Sequence, residues 1–122
     1  MKYSVNEQTD LKAVVIVASG IINTNLAENM VMDAGKMLGV SGYKKCFFDL
    51  VETKVDPKQT LTEMFLFIDI FKKAGIDRSI RIAALYISGE IHRSHLEEAA
   101  KFEGFKLRHF TDRDEALRWL NQ

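Results

Sequence analysis

The run Ile80–Gly89, I-R-I-A-A-L-Y-I-S-G, constrains the fold of this 122-residue chain more than any other segment. Before Ser88 every residue of the run is apolar except Arg81, and no turn residue interrupts it. Such a short apolar run is typical of a strand buried on both faces, as in parallel sheets covered by helices. The Ser-Gly pair and the amphipathic pattern after it predict a turn and a helix start, where α/β proteins place their binding sites.

Four other segments have the composition of strands. Lys2–Asn6 alternates polar and apolar residues, which predicts a half-exposed edge strand. Leu11–Ala18 is rich in β-branched residues and predicts a central strand ending at Ser19-Gly20. The short spacing between these two segments predicts an antiparallel pair. The other predicted strands are Cys46–Phe48, closed by Asp49 and followed by a loop at Leu50–Val55, and Leu107–Phe110.

Four helices are predicted after the second, third, fourth and fifth strands. Asn25, with Glu28 three residues later, predicts the start of the first helix, and Gly39 predicts its end as a left-handed cap. Asp56-Pro57 predicts the start of the second helix, which stops at Gly75. The third helix ends at Gly104 and has the apolar face Ile91, His95, Leu96, Ala99 and Phe102, and Thr111 or Asp112 caps the fourth.

The resulting order, ββαβαβαβα, predicts one α/β domain over residues 1–122, with no linker, repeat or low-complexity segment. Strands that alternate with helices form mostly parallel sheets with right-handed crossovers. We therefore expect a five-stranded, mostly parallel sheet with an antiparallel N-terminal strand and four helices.

The charge and cysteine content exclude several kinds of partner. Seventeen basic and seventeen acidic residues give a net charge of zero, which provides no field for attracting nucleic acid or an anionic membrane. No run approaches the ~18 apolar residues of a membrane span, and the N-terminus lacks the apolar region of a signal peptide. Cys46 is the only cysteine, which favours a reducing compartment. We expect a cytoplasmic protein that binds no nucleic acid and carries no cofactor or metal.

Two longer stretches resemble a known family. From Arg81 the chain reads R-I-A-A-L-Y-I-S-G-E-I-H, and Phe110–Leu120 reads F-T-D-R-D-E-A-L-R-W-L. Together with Gly20 and with F-F-D-L at Phe47–Leu50, they resemble the STAS-like domains related to anti-sigma-factor antagonists. The resemblance implies a small β/α domain that acts as a cytosolic interaction or small-ligand module rather than as an enzyme.

The sequence departs from this family at one functional motif. Phospho-regulated antagonists carry Asp-Ser-Ser-Gly at the start of the second helix, and this chain has Asp56-Pro57-Lys58-Gln59 at the matching place. Asp56 matches, but the serines on which phosphorylation depends are absent from the motif.

The turn after the fourth strand is the main candidate site. Ser88 and Gly89 combine a hydroxyl with free helix amides, and His92 follows within one turn, so these residues with Asp56 predict a ligand or partner crevice. A simple helix cap is the alternative for Ser88, and a minor enzyme using Ser88 and His92 is a further one. His92 and His95 have a metal-ligand spacing, but no third ligand is near in sequence, and a packed His95 is favoured.

Asp49 ends the third strand, as the phosphorylated aspartate does in response-regulator receivers. The carboxylate pair and the lysine that a receiver requires are missing here, because the second strand ends in Ala18-Ser19-Gly20 and the last strand ends in His109-Phe110. A structural Asp49 that binds loop amides is therefore the favoured interpretation.

The second helix predicts a contact surface. On a helical wheel Leu66 and Ile70 lie opposite its core stripe, with Phe67 at the margin. Apolar side chains on the solvent side of a helix predict a homodimer or partner surface. The alternatives are that loops or the N-terminal segment cover them, or that the protein carries a small apolar ligand in a pocket under the second and third helices. The core stripe itself is Leu61, Met64, Phe65, Ile68 and Phe71.

Overall fold

Five strands and four helices follow one another in the predicted order, ββαβαβαβα. The computed structural model describes residues 2–55, 68–87 and 93–122. The strands are β1 (Lys2–Gln8), β2 (Ala13–Ile22), β3 (Lys45–Val55), β4 (Arg81–Leu85) and β5 (Lys106–Phe110). The helices are α1 (Thr24–Ser41), α2, described over residues 68–73, α3 (Arg93–Phe102) and α4 (Arg113–Leu120).

The strands form one sheet in the order β1-β2-β3-β4-β5. β1 is antiparallel to β2 and the other neighbours are parallel, which confirms the predicted sheet. Because strands adjacent in sequence are also adjacent in the sheet, right-handed crossovers place α1, α2 and α3 on one face. We call this the helix-layer face, and the opposite face, which packs on α4, the α4 face.

Alternation along the strands separates two cores. Ile16, Phe48 and Ile82 lie on the helix-layer face in the larger cluster. Their neighbours Phe47 and Ala83 point the other way and pack with α4 in a smaller cluster. The β period of two therefore makes the central strands apolar on both faces, as the run at Ile80–Gly89 predicts.

The predicted loop at Leu50–Val55 is wrong, because β3 continues to Val55. β2 likewise continues through Ser19-Gly20 to Ile22, which pairs with Val55. A register shift between Val17 and Ser19 absorbs the extra residue of β3. Pairing between the two strands satisfies their main chains, and this long-range effect overrides the local turn signal of Gly20.

Two predicted cap positions of α1 are also wrong. Asn23, rather than Asn25, is the N-cap, and its Oδ1 accepts the N–H of Leu26 at 2.9 Å. Gly39 lies inside the helix, and Gly42 ends it in the left-handed conformation with φ 74°. The cap of α4 is Asp112, one of the two predicted residues.

Phe102 does not belong to the packed face of α3, since it is 90% exposed. The chain turns at Gly104, with φ 85°, and brings Phe105 into the core instead. The Phe105 ring lies 5.7 Å from the ring of Phe71 in the α2 segment. Among the described residues, no helix combines the length and hydropathy needed to cross a bilayer.

Candidate functional site

The carboxyl ends of β2, β3, β4 and β5 lie at one edge of the sheet, because these strands are parallel. Ligand sites of open α/β sheets form at this edge. The residues of the predicted crevice, Asp56, Ser88, Gly89 and His92, lie outside the described part of the chain.

A polar cluster of Tyr86, Glu97 and His109 lies beside this edge on the helix-layer face. His109 is the fourth residue of β5, and alternation places it on the same face as the buried Leu107. Its side chain is only 5% exposed, and its ring centroid lies 5.4 Å from that of Tyr86. Glu97 reaches it from α3, where Leu96 and Ala100 face the core.

Glu97 accepts two hydrogen bonds from His109 with one carboxylate oxygen. Its Oε1 lies 2.6 Å from the main-chain nitrogen of His109 and 3.1 Å from the ring Nδ1. An ionised carboxylate only accepts hydrogen bonds, so this geometry places a proton on Nδ1. The pair fixes the imidazole orientation and also caps an N–H at the outer edge of β5.

Asp49 and Arg113 form an ion pair on the opposite, α4 face. Arg113 donates from Nη2 to Oδ2 of Asp49 at 2.5 Å, and the guanidinium carbon lies 5.6 Å from the Phe47 ring centroid. Oδ1 of Asp49 accepts the main-chain N–H of Val51 at 3.3 Å. Asp49 therefore has the structural, amide-binding role that the sequence favoured.

Large apolar side chains are exposed near the same edge. Ile21 of β2 is 57% exposed, and Ile87, just after β4, is 68% exposed. Val17, which pairs with Asp49 in the adjacent strand, is 44% exposed. Exposed apolar groups of this size at one edge of a sheet are candidates for a protein contact surface.

The prediction that Ile70 points outward is wrong, because Ile70 is 5% exposed and belongs to the larger core. α2 is the central helix of its layer. Ala74 at its end contacts Gly35 of α1, and Lys72 binds Glu103 after α3 at 2.8 Å. A helix flanked on both sides buries a wider arc than a wheel with one core stripe predicts. Leu66 and Phe67 lie outside the described residues.

Sequence patterns missed three members of these clusters, namely Tyr86, Glu97 and Arg113. Glu97 and His109 are separated by 12 residues, and Asp49 and Arg113 by 64. The alternation of β5 places His109 with Leu107, which is the one local signal that leads to its cluster. Across 2–55, 68–87 and 93–122, no group of three His, Cys, Asp or Glu side chains is arranged to hold a metal ion.

The fold is similar to solved structures along nearly the whole chain. An anti-sigma factor antagonist from Mycobacterium paratuberculosis has a TM-score of 0.62 and 15% identity, over 99% of this chain and 94% of that one. An uncharacterized protein with a SpoIIAA-like fold from Shewanella loihica PV-4 has a TM-score of 0.61 and 20% identity, over 98% and 92%. The unphosphorylated anti-sigma factor antagonist SpoIIAA has a TM-score of 0.53 and 10% identity, over 99% and 98%.

These structures show the class of fold. The chain has the α/β fold of the anti-sigma-factor antagonists, which confirms the STAS-like fold predicted from the sequence. No known family model and no curated protein matches the sequence.

Proposed function

We propose that this chain is a non-catalytic, cytoplasmic protein-interaction module that works as a homodimer. The observation that supports this function is the similarity of fold, over 99% of the chain, to an anti-sigma factor antagonist. The lone buried cysteine agrees with a reducing compartment.

The proposed partner site is the carboxyl edge of the sheet, with Asp56, Ser88, Gly89 and His92 at its centre. The exposed side chains of Ile21 and Ile87 give this edge apolar area for a protein contact. Leu66 and Phe67 of the second helix are proposed to extend the same partner surface. The motif at Asp56 lacks the serines of phospho-regulated antagonists, so partner binding is proposed to be independent of serine phosphorylation there.

Site-specific photo-crosslinking in cells of the source organism tests this function. A photoreactive amino acid at position 92 is expected to give one dominant protein adduct, and Ser88→Ala is expected to weaken it. The same amino acid at Lys101, an exposed residue near the end of α3 and away from the strand carboxyl ends, is the matched control. Equal adducts at both positions would contradict the partner site.

Native mass spectrometry of the purified protein tests the alternative of a small-ligand carrier. A homodimeric interaction module is expected to show the mass of two chains with no additional bound molecule. A stoichiometric small molecule, released on denaturation and lost in His92→Ala, would replace the proposed function with that of a carrier.

A further inference from the structure

The two edges of the sheet are protected differently. At the β5 edge, the Glu97 carboxylate accepts the main-chain N–H of His109 at 2.6 Å. The same strand carries the charged side chains of Lys106 and Arg108. A capped N–H group and side chains of like charge disfavour pairing of an edge strand with another chain.

The β1 edge has no comparable cover within the described residues. The main chain of β1 pairs only with β2, from Lys2 opposite Ser19 to Gln8 opposite Ala13, without a register shift. An antiparallel edge strand turns the N–H and C=O groups of alternate residues outward. β1 is thus a seven-residue, proline-free template for another strand.

An apolar groove runs beside this edge, between β1 and α1. Tyr3 and Val5 of β1 and Met37 and Val40 of α1 form its apolar part. Val40 is 84% exposed although it is a large apolar residue. The Tyr3 hydroxyl donates to Oδ2 of Asp33 at 2.5 Å, which holds the ring against the helix. A strand that pairs with β1 would cover this groove.

We propose that β1 is the contact strand of a homodimer, pairing antiparallel with β1 of a second copy about a twofold axis perpendicular to the sheet. Such an axis reverses the strand direction and keeps each face on its own side. Tyr3 and Val5 therefore meet Tyr3 and Val5 of the second copy, and the two grooves join. Aromatic and β-branched pairs across antiparallel strands are stabilising.

The charges of β1 favour a second copy as the occupant. Lys2 lies near one end of the strand and Glu7 near the other. Antiparallel pairing brings each lysine to the glutamate end of the second copy, with the two side chains on opposite faces of the sheet because residues 2 and 7 alternate, whereas parallel pairing would bring like charges together. The net charge of the chain is zero, so two copies do not repel each other at long range.

Sedimentation equilibrium of the whole chain tests the dimer with a matched pair of variants. Val40→Asp is expected to weaken dimerisation by at least about tenfold, because it places a charge at the apolar junction. Phe102→Asp changes an equally exposed residue on α3 and is expected to leave the dimer unchanged. A monomeric wild type, or a dimer lost in Phe102→Asp and kept in Val40→Asp, would overturn the proposal.

Charge exchange and hydrogen exchange test the pairing itself. Lys2→Glu is expected to weaken the dimer, and the double variant Lys2→Glu with Glu7→Lys is expected to restore part of the loss. Amides of alternate β1 residues are expected to gain protection as protein concentration rises. Protection that is independent of concentration, or that appears only with a different protein, would exclude the second copy. Neither test involves residue 92, so a negative result for the β1 dimer leaves the test of the partner site unaffected, and the reverse also holds.

Discussion

Gly35 of α1 lies against the main chain of Ala74, so close that a Cβ at position 35 would stand 2.6 Å from the Ala74 carbonyl oxygen. The same Cβ would lie 2.9 Å from the Cβ of Ala74. The absence of a side chain at residue 35 therefore sets how closely α1 approaches the end of α2. This approach contributes to the burial of Ile70, because it brings α1 against one flank of α2.

Gly35→Ala is expected to destabilise the protein by about 1–2 kcal/mol. Overpacking against main-chain atoms costs about 1–3 kcal/mol, and the higher helix propensity of alanine returns up to about 1 kcal/mol. Gly39→Ala is the matched control in the same helix, with open space around its new Cβ, and is expected to stabilise by about 0.5–1 kcal/mol. Urea unfolding measures both, and changes of the same sign would contradict the packing.

Tyr3→Phe is expected to lower the free energy of unfolding by about 1 kcal/mol at neutral pH, because it removes a hydrogen bond to Asp33. This hydrogen bond, with burial and the Asp33 charge, raises the pKa of Tyr3 above its ordinary value of 10.0. The contribution is therefore complete below that value and is lost as pH rises through the raised pKa of the folded state.

Unfolding of wild type and Tyr3→Phe over a range of alkaline pH checks this sign. The stability difference between the two proteins is expected to shrink above the ordinary tyrosine pKa, while the other tyrosines cancel in the comparison. A difference that grows in alkali would show that Tyr3 is not a neutral donor to Asp33.

The Cys46 thiol is expected to be unreactive in the native protein. The residue is fully buried in the larger core, and burial raises the pKa of its thiol. Ellman's reagent is expected to modify it only at the rate at which the protein unfolds. Phe102→Cys, which adds a thiol at a position that is 90% exposed, is the control and should react at once; equally fast reaction of Cys46 in the wild type would contradict the burial.

Glu97→Ala is expected to cost about 1–3 kcal/mol, because it removes the acceptor of the main-chain and ring N–H groups of His109, whose side chain is buried. Glu97→Gln keeps a carbonyl oxygen and is expected to cost less. Thermal unfolding measures the stabilities, and nitrogen NMR of the imidazole reports the loss of the Nδ1–H form in the alanine variant. Equal stability of the Glu97→Ala and Glu97→Gln variants would contradict a structural role for the hydrogen bonds between Glu97 and His109.

Local patterns of sequence were sufficient for the order and type of the elements. The apolar run at Ile80–Gly89 predicts a strand, and its lack of polar residues indicates a central position in the sheet. α4 begins directly after Asp112 because the side chain of this aspartate accepts two main-chain N–H groups of the first turn. These effects act within a few residues, so the sequence alone predicts them.

Tertiary structure decided what depends on distant neighbours. β2 and β3 extend past Gly20 and Leu50 because each supplies the main-chain partners of the other. Ile70 is buried because α2 lies between α1 and the chain after α3. A helical wheel cannot predict this burial, since it gives no information about neighbouring helices. His109 contacts Glu97, and Asp49 contacts Arg113, because helices pack against strands that are distant in the sequence. The two residues of each contact are 12 and 64 positions apart, respectively. Periodicity specifies which face of an element is apolar, and only packing specifies how many faces are covered.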